Sequence, residues 1–159
     1  VNRSTLAATS LAVAAAAGSG SIASADAVSD WYARLRKPPY QPPNAAFPVA
    51  WTTLYGDIAV TSAVAIDRFR ASGQQDKARR YAAALGVNLV LNAAWSWLFF
   101  RFHKLGASAA GAVVLTASSA DLARRAAQAD PRAGLALSAY PLWCSFATAL
   151  ATHVWRLNR

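Results

Sequence analysis

The sequence has no glutamate, no methionine, one cysteine and two histidines, and only 14 % of its 159 residues are charged, against about 25 % in an average soluble protein. Each shortage excludes something. A lone thiol, Cys144, forms no intrachain disulfide, and inside an apolar run it behaves as a small hydrophobe. The seven acids are all Asp, at positions 26, 30, 57, 67, 76, 121 and 130, and the histidines, His103 and His153, lie far apart. That scatter offers neither a paired carboxylate for acid–base work nor a metal-ligand cluster, so no catalytic residue and no metal ligand is assigned. The formal charge of +9 would indicate nucleic acid if the basic residues formed one patch. They fall instead in short clusters between apolar runs, which argues against nucleic acid and for loops at a membrane surface.

The chain is rich in apolar residues, at 55 %. A bilayer core of about 30 Å needs about 20 helical residues to cross it. Five runs without Lys or Arg approach that length, at 5–28, 47–66, 81–100, 106–123 and 134–154. Extended to their helical ends, they predict spans at 5–28, 47–69, 79–101, 106–129 and 131–155. The expected fold is all-α: one domain over residues 1–159, an integral membrane bundle of five transmembrane helices. The first and fourth spans are dominated by Ala and Gly, and such helices hold together in lipid by close packing of small side chains. Arg3, the apolar run behind it and the Ala-x-Ala sites at 23–25 and 25–27 fit a secretory leader as well as a retained helix.

Residues 31–46 carry Pro38, Pro39, Pro42 and Pro43, four of the seven prolines. At that density the chain is an extended, stiff loop. With Arg34, Arg36 and Lys37 beside Trp31, Tyr32 and Tyr40, the loop has the make-up of a segment at headgroup level, capping the pocket between helices 1 and 2. Trp31 and Trp155 read as interfacial belt anchors. Asp130 before Pro131 suits the N-cap and first position of the last helix. Nine Lys/Arg lie on the side of the N-terminus and seven on the other, a slight bias towards a cytoplasmic N-terminus.

Asn88, Asn92, Trp95 and Phe99 recur at i, i+4, i+7 and i+11, two amides and two aromatics on one helical face. Amides of this kind also join helices by hydrogen bonds in lipid, at about 1 kcal/mol each. The second span places Trp51, Tyr55, Ile58 and Ser62 on one face, and the fifth adds Tyr140, Trp143 and Ala147. Large rings on three helices do not close-pack without gaps, and Ala110, Gly111 and Ala147 leave further room. An apolar pocket with few polar groups is the expected form of a small-molecule site. Asp57, in mid-span, is either a handle for ligand or proton or the partner of a nearby polar group. Asp121 pairs with Arg124 and Arg125 at i+3 and i+4.

The segment from Trp31 to Pro43, Trp-Tyr-Ala-Arg-Leu-Arg-Lys-Pro-Pro-Tyr-Gln-Pro-Pro, resembles the signature of the tryptophan-rich sensory protein and translocator protein family, also called the peripheral benzodiazepine receptor family. So do Phe-Pro-Val-Ala-Trp-Thr-Thr-Leu-Tyr from Phe47, Asn-Leu-Val-Leu-Asn-Ala-Ala-Trp-Ser-Trp from Asn88 and Tyr-Pro-Leu-Trp-Cys-Ser-Phe-Ala from Tyr140. The resemblance implies five transmembrane helices and a cavity near the proline-rich loop for porphyrins and benzodiazepine-type ligands. It carries Trp51, Tyr55, Asn88, Trp95, Trp143, Phe146 and Ala147 to that pocket. It also implies a homodimer, for which Ala82 and Gly86 offer a close-packing surface on the third helix. Where animal members have an Asn-Tyr pair in a cholesterol motif, this chain has Ala151 and Thr152, which weakens the case for sterol.

The ligand set read from the sequence is therefore Trp51, Tyr55, Asn88, Asn92, Trp95, Phe99, Tyr140, Trp143, Phe146 and Ala147. The expected function is a membrane receptor, sensor or transporter for a porphyrin, protoporphyrin or haem-like, or for a sterol-like molecule, with Asn88 fixing its orientation and no cofactor required. An enzyme that breaks down porphyrin in light through Trp51 and Trp143 and a ligand-gated regulatory partner are the alternatives. Abundant Ala and Arg without Glu or Met fit a bacterial plasma-membrane protein of high genomic GC content.

Overall fold

The computed structural model describes residues 2–24 and 30–159. Among these described residues, seven α-helices and one π-helical segment are arranged as α1 Arg3–Ser24, α2 Asp30–Arg34, α3 Ala46–Ala71, α4 Gln75–Ser96 continued by the π segment Trp97–Arg101, α5 Leu105–Ala129, α6 Pro131–Leu137 and α7 Ala139–Asn158. They form five helical rods long and apolar enough to cross a membrane: Arg3–Ser24, Ala46–Ala71, Gln75–Arg101, Leu105–Ala129 and Pro131–Asn158. The shortest has 22 residues, which at about 1.5 Å per residue covers a bilayer core. The molecule is an integral membrane protein built as a five-helix bundle. The last four residues of the first predicted span, and the Ala-x-Ala site at 25–27, lie outside the described residues.

Burial follows the rule for a lipid-facing bundle. Leu11, Ile22, Val49, Val90, Leu135 and Leu142 are each about two-thirds or more exposed on the outer surface, while Thr5, Thr9, Thr61, Ser62, Asn88, Asn92, Ser108 and Ser119 are buried. Thr9 Oγ1 donates to the Ala59 carbonyl at 2.9 Å, and Ser62 and Tyr81 hydroxyls meet at 2.9 Å. In hydrocarbon such groups need internal partners. Helix α1 is an integral rod of the bundle, packed on α3 and α4 through Thr5, Thr9, Val13, Ala16, Gly20 and Ala23. A Cβ at Gly20 would come within 3.2 Å of Ser96 Oγ.

The two ends of the bundle differ. At the basal end, Asn2 N and Thr5 Oγ1 both donate to Asp67, at 2.6 and 2.7 Å, and Arg68 pairs with Asp130 at 3.4 Å. Asp130 caps α6, accepting from Arg132 N at 2.9 Å, with Pro131 behind it. The expected single helix over 131–155 is interrupted at Ser138. Pro141 has no N–H for the Leu137 carbonyl, and its ring crowds that carbonyl. The interruption lets α6 pack on α3 while α7 contacts α3 only slightly. Gly134 permits the tight α5–α6 contact, since a Cβ there would lie 2.6 Å from Ala127 Cα.

At the opposite end, the loop over 35–45 leads from α2 into α3 and lies against the end of α7. Its backbone is tied to the end of α7: Arg36 N donates to Asn158 Oδ1 at 2.9 Å, and Asn158 Nδ2 donates to the Arg36 carbonyl at 2.8 Å. The Tyr40 hydroxyl meets His153 Nδ1 at 3.1 Å. His103, in the turn after the π segment, adopts φ of 57° and stacks on Trp31, ring centroids 3.7 Å apart. Trp31 thereby packs the lid end against the turn after the π segment.

Candidate functional site

A cavity of about 590 Å³ occupies the lid half of the bundle, within the range of about 300–1,000 Å³ usual for small-molecule sites. Every long rod contributes a wall, and the roof comes from Tyr32 of α2 and from Leu35, Lys37, Gln41 and Asn44 of the loop. One side is a run of rings. Trp51 and Tyr55 lie one helical turn apart with centroids separated by 5.7 Å, and Trp51 meets Trp143 edge to face at 6.4 Å and 89°. Phe47 meets Trp143 edge to face at 6.0 Å. Facing them, Trp95 stacks on Phe99 at 5.3 Å and 14°, and Phe100 stands edge-on to both.

The π segment produces that second cluster. Phe102 N bonds to the Trp97 carbonyl at 2.9 Å, an i+5 bond, and the wider turn brings two consecutive rings, Phe99 and Phe100, to the cavity.

Of the ten residues assigned to the ligand from sequence, Trp51, Tyr55, Asn92, Trp95, Phe99, Trp143 and Ala147 line this cavity. Asn88 and Tyr140 lie behind its wall, both fully buried. They belong to a chain of hydrogen bonds across the bundle: Tyr55 hydroxyl to Asn92 Oδ1 at 3.0 Å, Asn92 Nδ2 to the Tyr140 hydroxyl at 3.0 Å, Tyr140 hydroxyl to Asn88 Oδ1 at 2.9 Å and Asn88 Nδ2 to Ser118 Oγ at 3.2 Å. Asn88, expected to orient the ligand, thus has both ends of its amide engaged by protein. Phe146 is offset from the cavity-facing stripe of α7 and lies beneath Tyr40 of the loop at 6.3 Å. Ala110 is exposed on the outer face, and Ala112 takes the inward position on α5. Asp57 is half-buried, accepts from Thr61 Oγ1 at 2.8 Å and does not line the cavity.

Among the lining residues not assigned to the ligand from sequence, Lys37 is the most informative. Its Nζ lies 4.6 Å from the centre of the Tyr32 ring and donates to the Tyr32 and Leu35 carbonyls, at 2.8 and 3.3 Å. It is the sole cation lining the cavity among the described residues, and no acid accompanies it there. Burial raises the Tyr32 phenol above its ordinary pKa, partly offset by the bond that Gln41 Nε2 donates to it. The conspicuous feature of the wall is Trp143. Its Nε1 is buried and has no hydrogen-bond partner among the described residues, whereas Trp95 Nε1 donates to the Ser108 carbonyl and Trp97 Nε1 to Ser19 Oγ, both at 3.0 Å. Buried indole N–H groups ordinarily find acceptors.

Residues 8–156 match the model of the TspO/MBR family. Protein CrtK of Rhodobacter capsulatus is 34 % identical over 151 residues, covering 93 % of this chain and 89 % of that protein. Tryptophan-rich protein TspO of Archaeoglobus fulgidus is 33 % identical over 96 % of both chains. The human translocator protein is 30 % identical over 80 % of this chain and 75 % of its own.

Proposed function

The chain belongs to the TspO/MBR family, and on that premise we propose that it is a membrane receptor, a sensor or carrier, for flat apolar ligands bearing a carboxylate, of which porphyrins are the type. The observation that carries this reading is the aromatic cavity, in which Lys37 is the sole cation among the described lining residues. The Nε1–H of Trp143, buried in that wall with no acceptor among the described residues, costs about 1–3 kcal/mol, which a ligand heteroatom offsets when binding shifts the indole towards it. The rings of Trp51, Tyr55, Trp95 and Phe99 offer faces and edges to a planar macrocycle. Lys37, half-buried under the loop, supplies a cation for a propionate. A neutral sterol would leave that cation unanswered.

The polar groups deepest in the wall are engaged with one another, and the described cavity lining holds no acid and no histidine. This favours binding over turnover. The homodimer reading rests on Ala82 and Gly86, both exposed on the outer face of α4, with no atom near the space a Gly86 side chain would take. A bacterial plasma membrane is the compartment proposed, from the Ala- and Arg-rich composition.

The test is titration of detergent-purified protein with protoporphyrin and with its dimethyl ester, reading tryptophan fluorescence and porphyrin absorbance under light. Saturable quenching, stable absorbance and a preference for the free acid that Lys37→Gln abolishes are expected. Loss of absorbance that depends on Trp51 and Trp143 would instead revive photochemical breakdown, and absence of saturable quenching would overturn the receptor.

A further inference from the structure

At the basal end, remote from the aromatic cavity, lies a second hollow of about 270 Å³ lined by Phe69, Lys77, Arg80, Arg124, Arg125 and Gln128. Phe69, from the last turns of α3, forms its floor and is 2 % exposed. Lys77 and Arg80 lie one turn apart at the start of α4, and Arg124, Arg125 and Gln128 come from the last turns of α5. Four cations thus converge from two helices on one hollow. A single acid, Asp121, answers two of them: Arg124 Nη2 donates to it at 2.7 Å and Arg125 Nε at 2.8 Å. Those bonds use one nitrogen of each guanidinium and leave the remaining donors. Lys77 and Arg80 have no acid partner among the described residues. The neighbouring basal cation Arg68 is held by Asp130, and Arg70 donates to Thr5 Oγ1 at 3.3 Å.

We propose that this hollow is a binding site for a phosphate group, carried by an anionic phospholipid headgroup or by a soluble phosphate compound. The chemistry follows from the donors. A tetrahedral phosphate with two or more free oxygens can accept from several cations at once, and guanidinium matches phosphate in paired bonds. The level in the fold agrees, since the lining residues sit where three membrane spans begin or end, at the depth of lipid headgroups. A merely solvated basic band, of the sort that sets membrane topology, needs no hollow and no apolar floor beneath its charges. The site makes no use of the aromatic cavity, so it stands or falls independently of the porphyrin reading.

The experiment is a melting curve of the full chain in neutral detergent, followed by tryptophan fluorescence, with additions of short-chain phosphatidylglycerol, phosphatidylcholine or inorganic pyrophosphate. Phosphatidylglycerol, pyrophosphate or both should raise Tm saturably, and phosphatidylcholine should not. The double change Lys77→Gln/Arg80→Gln should weaken the response about 25-fold, two lost contacts at about fivefold each. Lys77→Arg/Arg80→Lys should keep most of it, and Arg34→Gln/Arg36→Gln at the lid end should leave it unchanged. These side chains are exposed, so the unliganded Tm of every variant should stay near that of the wild type. A response to phosphatidylglycerol alone assigns the site to lipid, and a response to pyrophosphate assigns it to soluble phosphates. The proposal is overturned if neither anion gives a saturable rise, if phosphatidylcholine acts equally, or if the Gln variant responds as the wild type does.

Discussion

Replacing Trp143 by Phe separates an indole that waits for a ligand from one that serves the fold. In the free protein the change removes a buried N–H without a partner, worth about 1–3 kcal/mol of relief. It also leaves a small void where the outer six-membered ring of the indole stood, in a side chain that packs beside Phe47, Trp51 and Phe146, at a cost of similar size. The two nearly cancel, so the unliganded Tm should move by less than about 4 °C. Binding has no such cancellation. The loss of one hydrogen bond of about 0.5–1.5 kcal/mol should weaken porphyrin affinity roughly 2- to 12-fold. Trp97→Phe is the control: its Nε1 already donates to Ser19 Oγ and the residue does not line the cavity, so this variant should lose stability and keep its affinity. The assay is fluorescence titration with protoporphyrin beside a melting curve for each variant. Wild-type affinity in Trp143→Phe, or a stability loss there as large as in Trp97→Phe, would refute the assignment.

Asn92→Leu interrupts the hydrogen-bond chain between Tyr55 and Tyr140 and should lower stability by about 1–3 kcal/mol, read by thermal melting in detergent. Gly134→Ala forces α5 and α6 apart at Ala127 and should destabilise by about 1–3 kcal/mol, with a lower Tm and little effect on affinity once folded. Asn158→Ala removes both bonds to the Arg36 backbone, so limited proteolysis should cleave the loop over 35–45 faster, and bound porphyrin should restore part of the protection.

The five rods were legible because the bilayer imposes a length on each apolar run, and Lys and Arg mark where each run stops. The cavity walls were legible in part for a second reason. Trp51 with Tyr55, and Trp95 with Phe99, repeat at helical spacing, so identity and face could be read together. Depth along a helix could not. Asn88 and Asn92 share a face, yet one turn separates a residue behind the wall from one that lines it. Phe100 was hidden by the π segment, whose extra residue per turn leaves no mark in hydrophobic periodicity. Lys37 was read as a headgroup-level charge because nothing local announces that its ammonium folds back over Tyr32. The interruption at Ser138 had a visible cause in Pro141, three residues downstream.

The measurement that bears most directly on the central claim fills the cavity from within. Ala147 lines it from α7, and Ala147→Phe would place a ring in the space assigned to the ligand. Followed by the absorbance shift of protoporphyrin, the variant should lose saturable binding while its melting curve stays close to that of the wild type. Undiminished binding by a folded Ala147→Phe protein would mean that the porphyrin sits elsewhere, and that this cavity is not the receptor site.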